Sequence, residues 1–98
     1  MKVMIQSVNF NADQKLLDLV ELKMKNLERF FDRIIGVEVY LKVQKTSDKE
    51  NKSTEVKVKV PGDEIIVKKQ SKTFEEGVSL VKESLKRQLT RRKEKIRA

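Results

Sequence analysis

Two segments in the middle of the chain alternate strictly between apolar and polar residues. Valine or leucine stands at every second position of residues 37–43, and valine at every second position of residues 56–60. Successive side chains of a strand point to opposite faces of a sheet, so this period of two predicts two half-buried β-strands. The chain is therefore predicted to contain a sheet with one apolar and one polar face.

Two further segments are predicted to be strands from weaker signals. Residues 2–8 alternate loosely, and residues 65–69 follow the sequence Pro61-Gly62-Asp63. Proline and glycine at these positions favour a tight turn. The last two strands are therefore predicted to form a hairpin.

Two other segments change to the period of a helix. In the first, Asn11 is predicted to cap the N-terminus, with Gln14 in the reciprocal position, and the helix is predicted to extend to about Phe31. Its apolar stripe consists of Leu16, Leu17, Val20, Met24, Leu27, Phe31 and Ile34. In the second, Thr73 and Glu76 form the same capping pattern. Its apolar stripe consists of Phe74, Val78, Val81, Leu85, Leu89 and Ile96.

The resulting order of elements is β-α-β-β-β-α, which we interpret as a single α+β domain over residues 1–98 with a four-stranded sheet. The helix between the first two strands predicts a parallel pair with a right-handed crossover, and the short connections after it predict an antiparallel meander. The wholly polar residues 44–54 are predicted to be a mobile connection. Gly77 lies off the apolar stripe of the final helix, and a close approach to the first helix is one explanation.

The composition excludes several kinds of chemistry. The chain contains no histidine and no cysteine, so the commonest general base, a thiol nucleophile and a thiolate metal site are all missing. We find no carboxylate cluster with metal-ligand spacing and no glycine-rich phosphate loop, so neither an enzyme nor a cofactor is predicted. No segment has the length of a membrane span or the pattern of a secretory signal, so we expect a cytoplasmic protein with no membrane partner.

Positive charge is concentrated near the C-terminus. The chain has a formal net charge of +8 at pH 7, and residues 82–98 hold eight Lys or Arg against two Glu. A helical projection orders these cations into two rows that flank the apolar stripe. One row consists of Lys82, Lys86, Lys93 and Arg97, and the other of Arg87, Arg91 and Lys95. Like charges at this spacing destabilise an isolated helix, so the pattern favours a polyanion-binding surface over a merely solvated one.

Arg92 is an exception because it falls within the apolar stripe. We expect the helix to have passed the edge of the sheet there, so that residues from about 90 to 98 form a protruding basic arm. The first helix carries cations at Lys23, Lys25, Arg29 and Arg33, but acids are interspersed, so a solvated face is an equally good interpretation. The aromatic residues are unsuited to a base-stacking platform, and the predicted mode of binding is contact with phosphates.

Three segments carry a resemblance to a known family. Asn26–Ile34 (NLERFFDRI), Val39–Lys45 (VYLKVQK) and Leu85–Lys95 (LKRQLTRRKEK) closely resemble the ribosome hibernation promoting factor and ribosome-associated inhibitor family, in the same order. The resemblance implies two helices on one face of the sheet, in a double-stranded-RNA-binding-like arrangement. It also implies a translation inhibitor, without a cofactor, that occupies the messenger and transfer RNA channel of the small ribosomal subunit under stress or in stationary phase. The chain is similar to the short form of this family.

The resemblance also assigns candidate contacts. The resemblance implies that the family's basic positions match Arg87, Arg91 and Lys95 on the last helix, with Lys93 nearby, and Lys23, Arg29 and Arg33 on the first. The chain departs from the family pattern at Asn26, where a cation is usual and Lys25 is adjacent, and at Ser84, where a lysine is usual. Together with periodicity, the candidate contacts with ribosomal RNA are Lys23, Lys25, Arg29, Arg33, Lys82, Lys86, Arg87, Arg91, Arg92, Lys93 and Lys95.

Two alternatives to this function stay open from the sequence. The same rows of cations would serve a generic double-stranded RNA-binding module, and a basic helix would also suit a protein-interaction module that docks on an acidic partner. The resemblance favours the small ribosomal subunit and its RNA as the partner. It implies no small-molecule substrate and a chain that is monomeric when free.

Overall fold

The computed structural model describes the backbone of residues 1–97 and the side chains of residues 1–95. Its elements are β1 (Lys2–Val8), α1 (Gln14–Lys25), a short 3-10 helix (Asn26–Arg29), β2 (Gly36–Val43), β3 (Lys52–Val60), β4 (Asp63–Ser71) and α2 (Phe74–Arg97). The predicted order β-α-β-β-β-α is confirmed. The predictions for the side chains of Ile96 and Arg97, and for Ala98, lie outside the described residues.

The four strands form one sheet in the order β1-β2-β3-β4. β1 runs parallel to β2, with Val3 opposite Val37, and the chain between them passes through α1. β2 pairs antiparallel with β3, and β3 pairs antiparallel with β4 through a turn at Pro61 and Gly62. The parallel pair and the antiparallel meander are therefore as predicted. Gly62 has a φ of 75°, a conformation that glycine adopts without strain.

Both helices lie on one face of the sheet, as predicted, because that face and the helix stripes are apolar. The buried core consists of Val20, Met24, Leu27, Phe31, Ile34, Val37, Val39, Leu41, Val56, Val58, Val60, Ile65, Val67, Phe74, Val78, Val81, Leu85 and Leu89. α2 packs on β3 and β4, while α1 packs on β1 and on α2. Burial of these side chains is the main force that holds the helices to the sheet. Within residues 1–97 the opposite face of the sheet is left uncovered.

The N-cap of α1 is Asp13, so the prediction of Asn11 is wrong. Asp13 Oδ1 accepts a hydrogen bond from the amide of Leu16 at 2.9 Å. Gln14 donates to Asp18 at 2.8 Å instead of reaching back to the cap. Asp13 has the extended backbone of an N-cap (φ −77°, ψ 165°), and its charged oxygen is a stronger acceptor than an amide oxygen.

α1 also ends earlier than predicted, at Lys25, and the chain continues as a 3-10 helix to Arg29. This geometry tightens the last turn, and the amides of Phe30 and Phe31 both donate to the carbonyl of Leu27, at 3.0 and 3.3 Å. Phe31 is nevertheless buried, with 3% of its surface exposed. The apolar stripe therefore predicted the burial correctly, although the type of helix changes along it.

The polar connection before β3 is shorter than predicted. Lys52, Ser53 and Thr54 belong to β3, and the two hydroxyl side chains are buried. Thr54 lies beneath Gly77: a Cβ on this glycine would be 2.6 Å from Thr54 Oγ1 and 2.8 Å from Ser71 Oγ. The close approach that requires glycine is therefore to β3 and β4, and the explanation by an approach to the first helix is wrong.

The prediction of Thr73 as the N-cap of α2 is confirmed. Thr73 Oγ1 accepts the amide of Glu76 at 3.1 Å, and the Thr73 carbonyl accepts the amide of Gly77 at 3.1 Å. Phe74 is the first residue of the helix and stacks on Phe10, with ring centroids 4.7 Å apart. Hydrogen bonds and aromatic packing thus fix the start of α2 and set the direction of its basic second half.

Over the part of the chain that the structure describes, no helix is both long and apolar enough to cross a membrane. The same residues contain no group of three or more acidic side chains arranged to hold a metal ion.

Candidate nucleic-acid interface

Four cations meet along the seam between α1 and α2. Lys23 lies on α1 and Arg29 at the end of the following 3-10 helix, and both act electrostatically on Lys82 of α2, as does Lys86 one turn further along. We call these four residues the seam cluster. Lys82 and Lys86 share one side of α2 because residues four apart lie one above the other on a helix. The packing of the helices thus brings together cations that are distant in the sequence.

The pKa of Lys82 reflects its burial and the positive charge around it in the seam. Burial lowers the pKa of its ammonium group, and the nearby charges of Lys23, Arg29 and Lys86 lower it further. Glu83 acts in the opposite direction, but the net effect on the pKa is downward. Desolvation and like charges both disfavour the protonated form. The seam therefore holds positive charge that the protein only partly compensates, which favours the binding of an anion.

An aromatic ring helps to position Lys86. Its Nζ lies 5.1 Å from the centroid of the Phe30 ring, within the range of a cation–π interaction. Phe30 is itself half-buried against the core. Because the ring carries no net charge, it orients the ammonium group without neutralising it.

The other side of α2 faces the β3–β4 hairpin, and we call its residues Arg91, Arg92 and Lys95 the hairpin flank. They border a shallow depression of about 330 Å³. It is lined by Asp63, Glu64, Ile65, Ile66, Gln88, Arg91, Arg92 and Lys95. Acids and cations are mixed here, so the positive charge of this flank is more strongly compensated than the sequence indicates.

Arg92, which falls within the apolar stripe of α2, has an acidic partner at the end of the sheet. Its Nη1 lies 2.9 Å from Asp63 Oδ2, and the pair joins α2 to the β3–β4 turn. The backbone N–H of Glu64 and then the Arg92 guanidinium lower the pKa of Asp63. A carboxylate at the end of the sheet thus explains an arginine in an apolar stripe. The protruding basic arm of about residues 90–98 stays a prediction.

A second depression, of about 390 Å³, lies at the end of the sheet where three elements meet, and we call it the end pocket. It is lined by Phe31, Arg33, Pro61, Arg92 and Lys95. The segment before β2 is held beside the turn, because the amide of Ile35 donates to the carbonyl of Lys59 at 2.8 Å. Sequence reasoning included Arg33 among the candidates but interpreted Pro61 only as a turn residue. In the sequence, the signal for the end pocket was Arg92, an arginine within the apolar stripe of α2.

The remaining candidates are not brought into the seam cluster. Lys25 pairs with Glu21 one turn earlier, at 3.1 Å, and both side chains are exposed. Arg87 is exposed on α2, and Lys93 is half-buried. The predicted contacts are therefore divided among the seam cluster, the hairpin flank, the end pocket and separate surface positions.

The uncovered face of the sheet has a different arrangement of charge. Glu38 pairs with Lys59 at 3.3 Å and accepts a hydrogen bond from the Tyr40 hydroxyl at 3.1 Å. These two partners lower the pKa of Glu38, Lys59 most strongly, and the same carboxylate raises the pKa of Tyr40. Lys57 lies over the Tyr40 ring, 5.6 Å from its centroid. On this face Glu38 therefore compensates the charge of Lys59, whereas the ring of Tyr40 leaves the charge of Lys57 in place.

The sequence as a whole matches a family model described as Sigma 54 modulation protein / S30EA ribosomal protein, over residues 3–97. The chain belongs to this family. Among S30EA relatives, the ribosome hibernation promoting factor of Azotobacter vinelandii is 34% identical over 95 residues, which are 97% of this chain and 85% of the relative. The ribosome hibernation promoting factor of Escherichia coli strain K12 is 30% identical over 97 residues, which are 99% of this chain and 98% of the relative.

The fold of this S30EA protein also occurs in solved structures. A ribosomal subunit interface protein from Coxiella burnetii superposes with a TM-score of 0.80 at 24% identity, covering 95% of this chain and 98% of that one. The N-terminal domain of Protein Y from Thermus thermophilus superposes with a TM-score of 0.74 at 21% identity, covering 92% and 93%. At these identities the likeness shows the fold, and family membership rests on the sequence matches. The family resemblance identified from three sequence segments is thereby confirmed.

Proposed function

We propose that this protein binds the ribosome and inhibits translation as a hibernation factor, with the seam cluster as its principal contact with ribosomal RNA. The relatives described above are named ribosome hibernation promoting factors. The observation that carries the proposal is the seam itself, where four cations from three elements converge. Burial and the charges of the other three cations lower the pKa of Lys82. A phosphate backbone placed along the seam would relieve this repulsion.

The small ribosomal subunit is the proposed partner, and its messenger and transfer RNA channel is the proposed location. From Lys82 to Lys95, α2 extends about 20 Å at 1.5 Å per residue, so its cations reach phosphates of several nucleotides. Phosphate contacts position a protein without reading the sequence of bases. The proposed action is occupation of space in the cytoplasmic ribosome, and it involves no catalytic step, cofactor or metal.

Sedimentation of the purified chain with small ribosomal subunits tests the proposal. We expect co-sedimentation at low salt and release as salt rises, since each neutralised phosphate contributes roughly −0.7 to −0.9 to the slope of log K against log salt. Arg29→Glu with Lys82→Glu reverses one cation on each side of the seam and should release the chain at physiological salt. The control, Lys42→Glu with Lys68→Glu, changes the net charge equally at exposed positions of the uncovered sheet face and should bind like the wild type.

Two results would contradict this proposal: a wild-type chain that fails to co-sediment at low salt, or a seam variant that binds as tightly as the control. Competition with duplex RNA separates the ribosome from a generic RNA-binding activity. Ready displacement from the subunits by excess duplex RNA would favour a generic double-stranded RNA-binding module. Retention on the subunits would favour a site specific to the ribosome.

A further inference from the structure

The end pocket is concave and is formed by three elements that are fixed to one another. Its volume of about 390 Å³ lies near the lower end of the range for ligand pockets, roughly 300–1,000 Å³. The hydrogen bond from the Ile35 amide to the Lys59 carbonyl ties the segment before β2 to β3. The pair formed by Asp63 and Arg92 ties the β3–β4 hairpin to α2. The pocket is therefore formed before any ligand arrives.

Arg92 lines the pocket, and the β3–β4 turn holds its guanidinium group. Its Nη1 donates to Asp63 Oδ2 at 2.9 Å, and the other oxygen of this carboxylate accepts the amide of Glu64 at 2.7 Å. The Arg92 side chain is only 28% exposed, whereas that of Asp63 is 54% exposed. An ion pair with so exposed a partner adds little to stability, so its main effect is to orient the guanidinium group. The face of a guanidinium group stacks favourably on a nucleobase.

The remaining walls supply apolar surface and positive charge. Pro61 is exposed and presents a rigid ring at the turn, while Phe31 is buried and forms part of the pocket lining. Arg33 and Lys95 bring two further cations to the pocket. A planar base and an anionic phosphate together match these walls. Because a base within a duplex is stacked and paired, the matching ligand is an unpaired nucleotide.

We propose that the end pocket binds one unpaired nucleotide of RNA, with its base against Arg92 and Pro61 and its phosphate near Arg33 and Lys95. This proposal rests on the RNA-binding function proposed above and adds a separate site to it. The seam cluster contacts phosphates, which paired and unpaired strands both present. The end pocket distinguishes the two, because only an unstacked base can enter it.

Nuclear magnetic resonance of the isotope-labelled chain tests the pocket without the ribosome. The probes are ribonucleoside monophosphates and inorganic phosphate, each added at millimolar concentration. We expect the nucleotides to shift the amide signals of Phe31, Gly62 and Arg92, and to bind about tenfold more tightly than inorganic phosphate, because stacking adds to charge attraction. Equal affinities for the two probes would indicate an anion site only and would overturn the proposal. Shifts confined to the seam cluster would overturn it as well.

Two substitutions separate stacking from charge. Arg92→Lys keeps the positive charge but removes the planar group, and should weaken nucleotide binding about tenfold while leaving the binding of inorganic phosphate unchanged. Asp63→Asn removes the charged partner that orients the guanidinium group and should weaken nucleotide binding less. Lys68→Arg makes the opposite exchange on the uncovered sheet face and is the control for Arg92→Lys. Asp48→Asn, at an exposed position of the loop between β2 and β3, makes the same change of charge as Asp63→Asn and is its control. If Arg92→Lys keeps the wild-type nucleotide affinity and an intact amide spectrum, Arg92 is not a stacking wall.

The two proposals fail independently of each other. A chain that co-sediments with small subunits but does not bind nucleotides in the end pocket would overturn the pocket and leave the proposed function standing. A chain that binds nucleotides in the pocket but never co-sediments with ribosomal subunits would support the pocket and overturn the ribosomal function.

Discussion

The two sides of α2 are similarly basic in the sequence and differ in what surrounds their cations. In the seam cluster, burial and then the neighbouring cations lower the pKa of Lys82. On the hairpin flank, Arg92 pairs with Asp63, and Glu64 lines the same depression. The seam therefore holds like-charge repulsion that an anion relieves, whereas the hairpin flank is partly neutralised by its own acids. We therefore expect the acids packed beside a row of cations to affect polyanion binding more than the number of cations in that row.

Charge reversal on each side of α2 should give the largest difference. Lys82→Glu with Lys86→Glu alters the seam, and Arg91→Glu with Lys95→Glu makes the same change in net charge on the hairpin flank. Charge-assisted contacts are worth about 1.5–3 kcal/mol each, so loss of two in the seam should weaken binding to small subunits by roughly 100-fold or more. Arg91→Glu with Lys95→Glu should weaken binding to small subunits only roughly tenfold, because nearby acids already compensate part of the charge on the hairpin flank. Binding isotherms at one fixed salt concentration measure both.

Thermal unfolding is the control for this pair of variants, since both must be folded for the comparison to hold. Equal losses of affinity would show that the acids of the hairpin flank do not weaken its contacts. A larger loss on the hairpin flank would reverse the proposed ranking of the two sides.

Most of the fold could be predicted from the sequence because its signals are local. The alternation in β2 and β3, the Thr73 cap and the turn at Pro61 each depend on residues that are close in the chain, and each is confirmed. The error in predicting the N-cap of α1 also had a local cause. Asn11 and Asp13 are both good capping residues, and the presence of Gln14 three positions after Asn11 favoured the wrong one.

The site was harder to predict because it depends on which neighbour each side of α2 meets. Periodicity places Lys82 and Arg91 on different sides of the helix, but it does not show that one faces cations and the other faces acids. Arg92 was the main long-range clue, since an arginine in an apolar stripe needs a polar partner. Its partner Asp63 is 29 residues away in the chain, and the sequence offers many other acids.

Close packing between α2 and the sheet predicts the next largest effect. Gly77→Ala would place a methyl group 2.6 Å from Thr54 Oγ1 and 2.8 Å from Ser71 Oγ, so the helix or the strands must shift. Overpacking of this kind costs about 1–3 kcal/mol, and alanine regains about 1 kcal/mol of helix propensity. We expect the free energy of unfolding to fall by about 1 kcal/mol, measured by chemical denaturation. The seam lies on the other side of α2, so affinity for small subunits should change little in the folded variant.

The double variant Gly77→Ala with Thr54→Ala tests the cause of this loss. Within the described residues Thr54 Oγ1 is buried without a hydrogen-bond partner, so its removal breaks no hydrogen bond and frees space for the new methyl group. We expect the losses of the two single variants to be less than additive. Strict additivity would exclude the contact with Thr54 as the cause.

Repulsion in the seam predicts a smaller effect of opposite sign. Lys82→Gln removes a cation that Lys23, Arg29 and Lys86 disfavour, so the free energy of unfolding should rise by roughly 0.2–0.5 kcal/mol while binding to small subunits weakens. Lys68→Gln on the uncovered sheet face is the control and should leave binding unchanged. A fall in stability for Lys82→Gln would show that the lysine makes a net stabilising contact. The seam would then not differ from the hairpin flank by uncompensated repulsion.

The dependence of this effect on pH has a definite sign. Because the pKa of Lys82 is lower in the folded chain, the unfolded chain holds the proton more tightly, and protonation destabilises the fold. The destabilisation is fully present below the folded pKa and is relieved as pH rises through it towards the ordinary value of 10.5. The stability advantage of Lys82→Gln should therefore be present at pH 7 and shrink in alkaline solution. An advantage that persists unchanged at alkaline pH would have a cause other than charge.

The smallest expected effect concerns the pair on the hairpin flank. The Glu64 amide and the Arg92 guanidinium lower the pKa of Asp63, so this carboxylate stabilises the fold above its ordinary pKa of 3.8 and loses that contribution as pH falls through the folded pKa. In Asp63→Asn, stability at pH 7 should change only slightly, because the carboxylate is exposed. Denaturation midpoints should also fall less steeply below about pH 4 than in the wild type.

Asp48→Asn, at an exposed position of the loop between β2 and β3, is the control for the change in stability at acidic pH. If Asp63→Asn unfolds the chain at pH 7, the pair is a structural link and the hairpin flank depends on it for packing. If stability hardly changes while nucleotide binding in the end pocket weakens, the pair acts by orienting Arg92. The two sides of α2 would then differ in function as well as in charge, because the seam would attract phosphates and the hairpin flank would fix one guanidinium group in place.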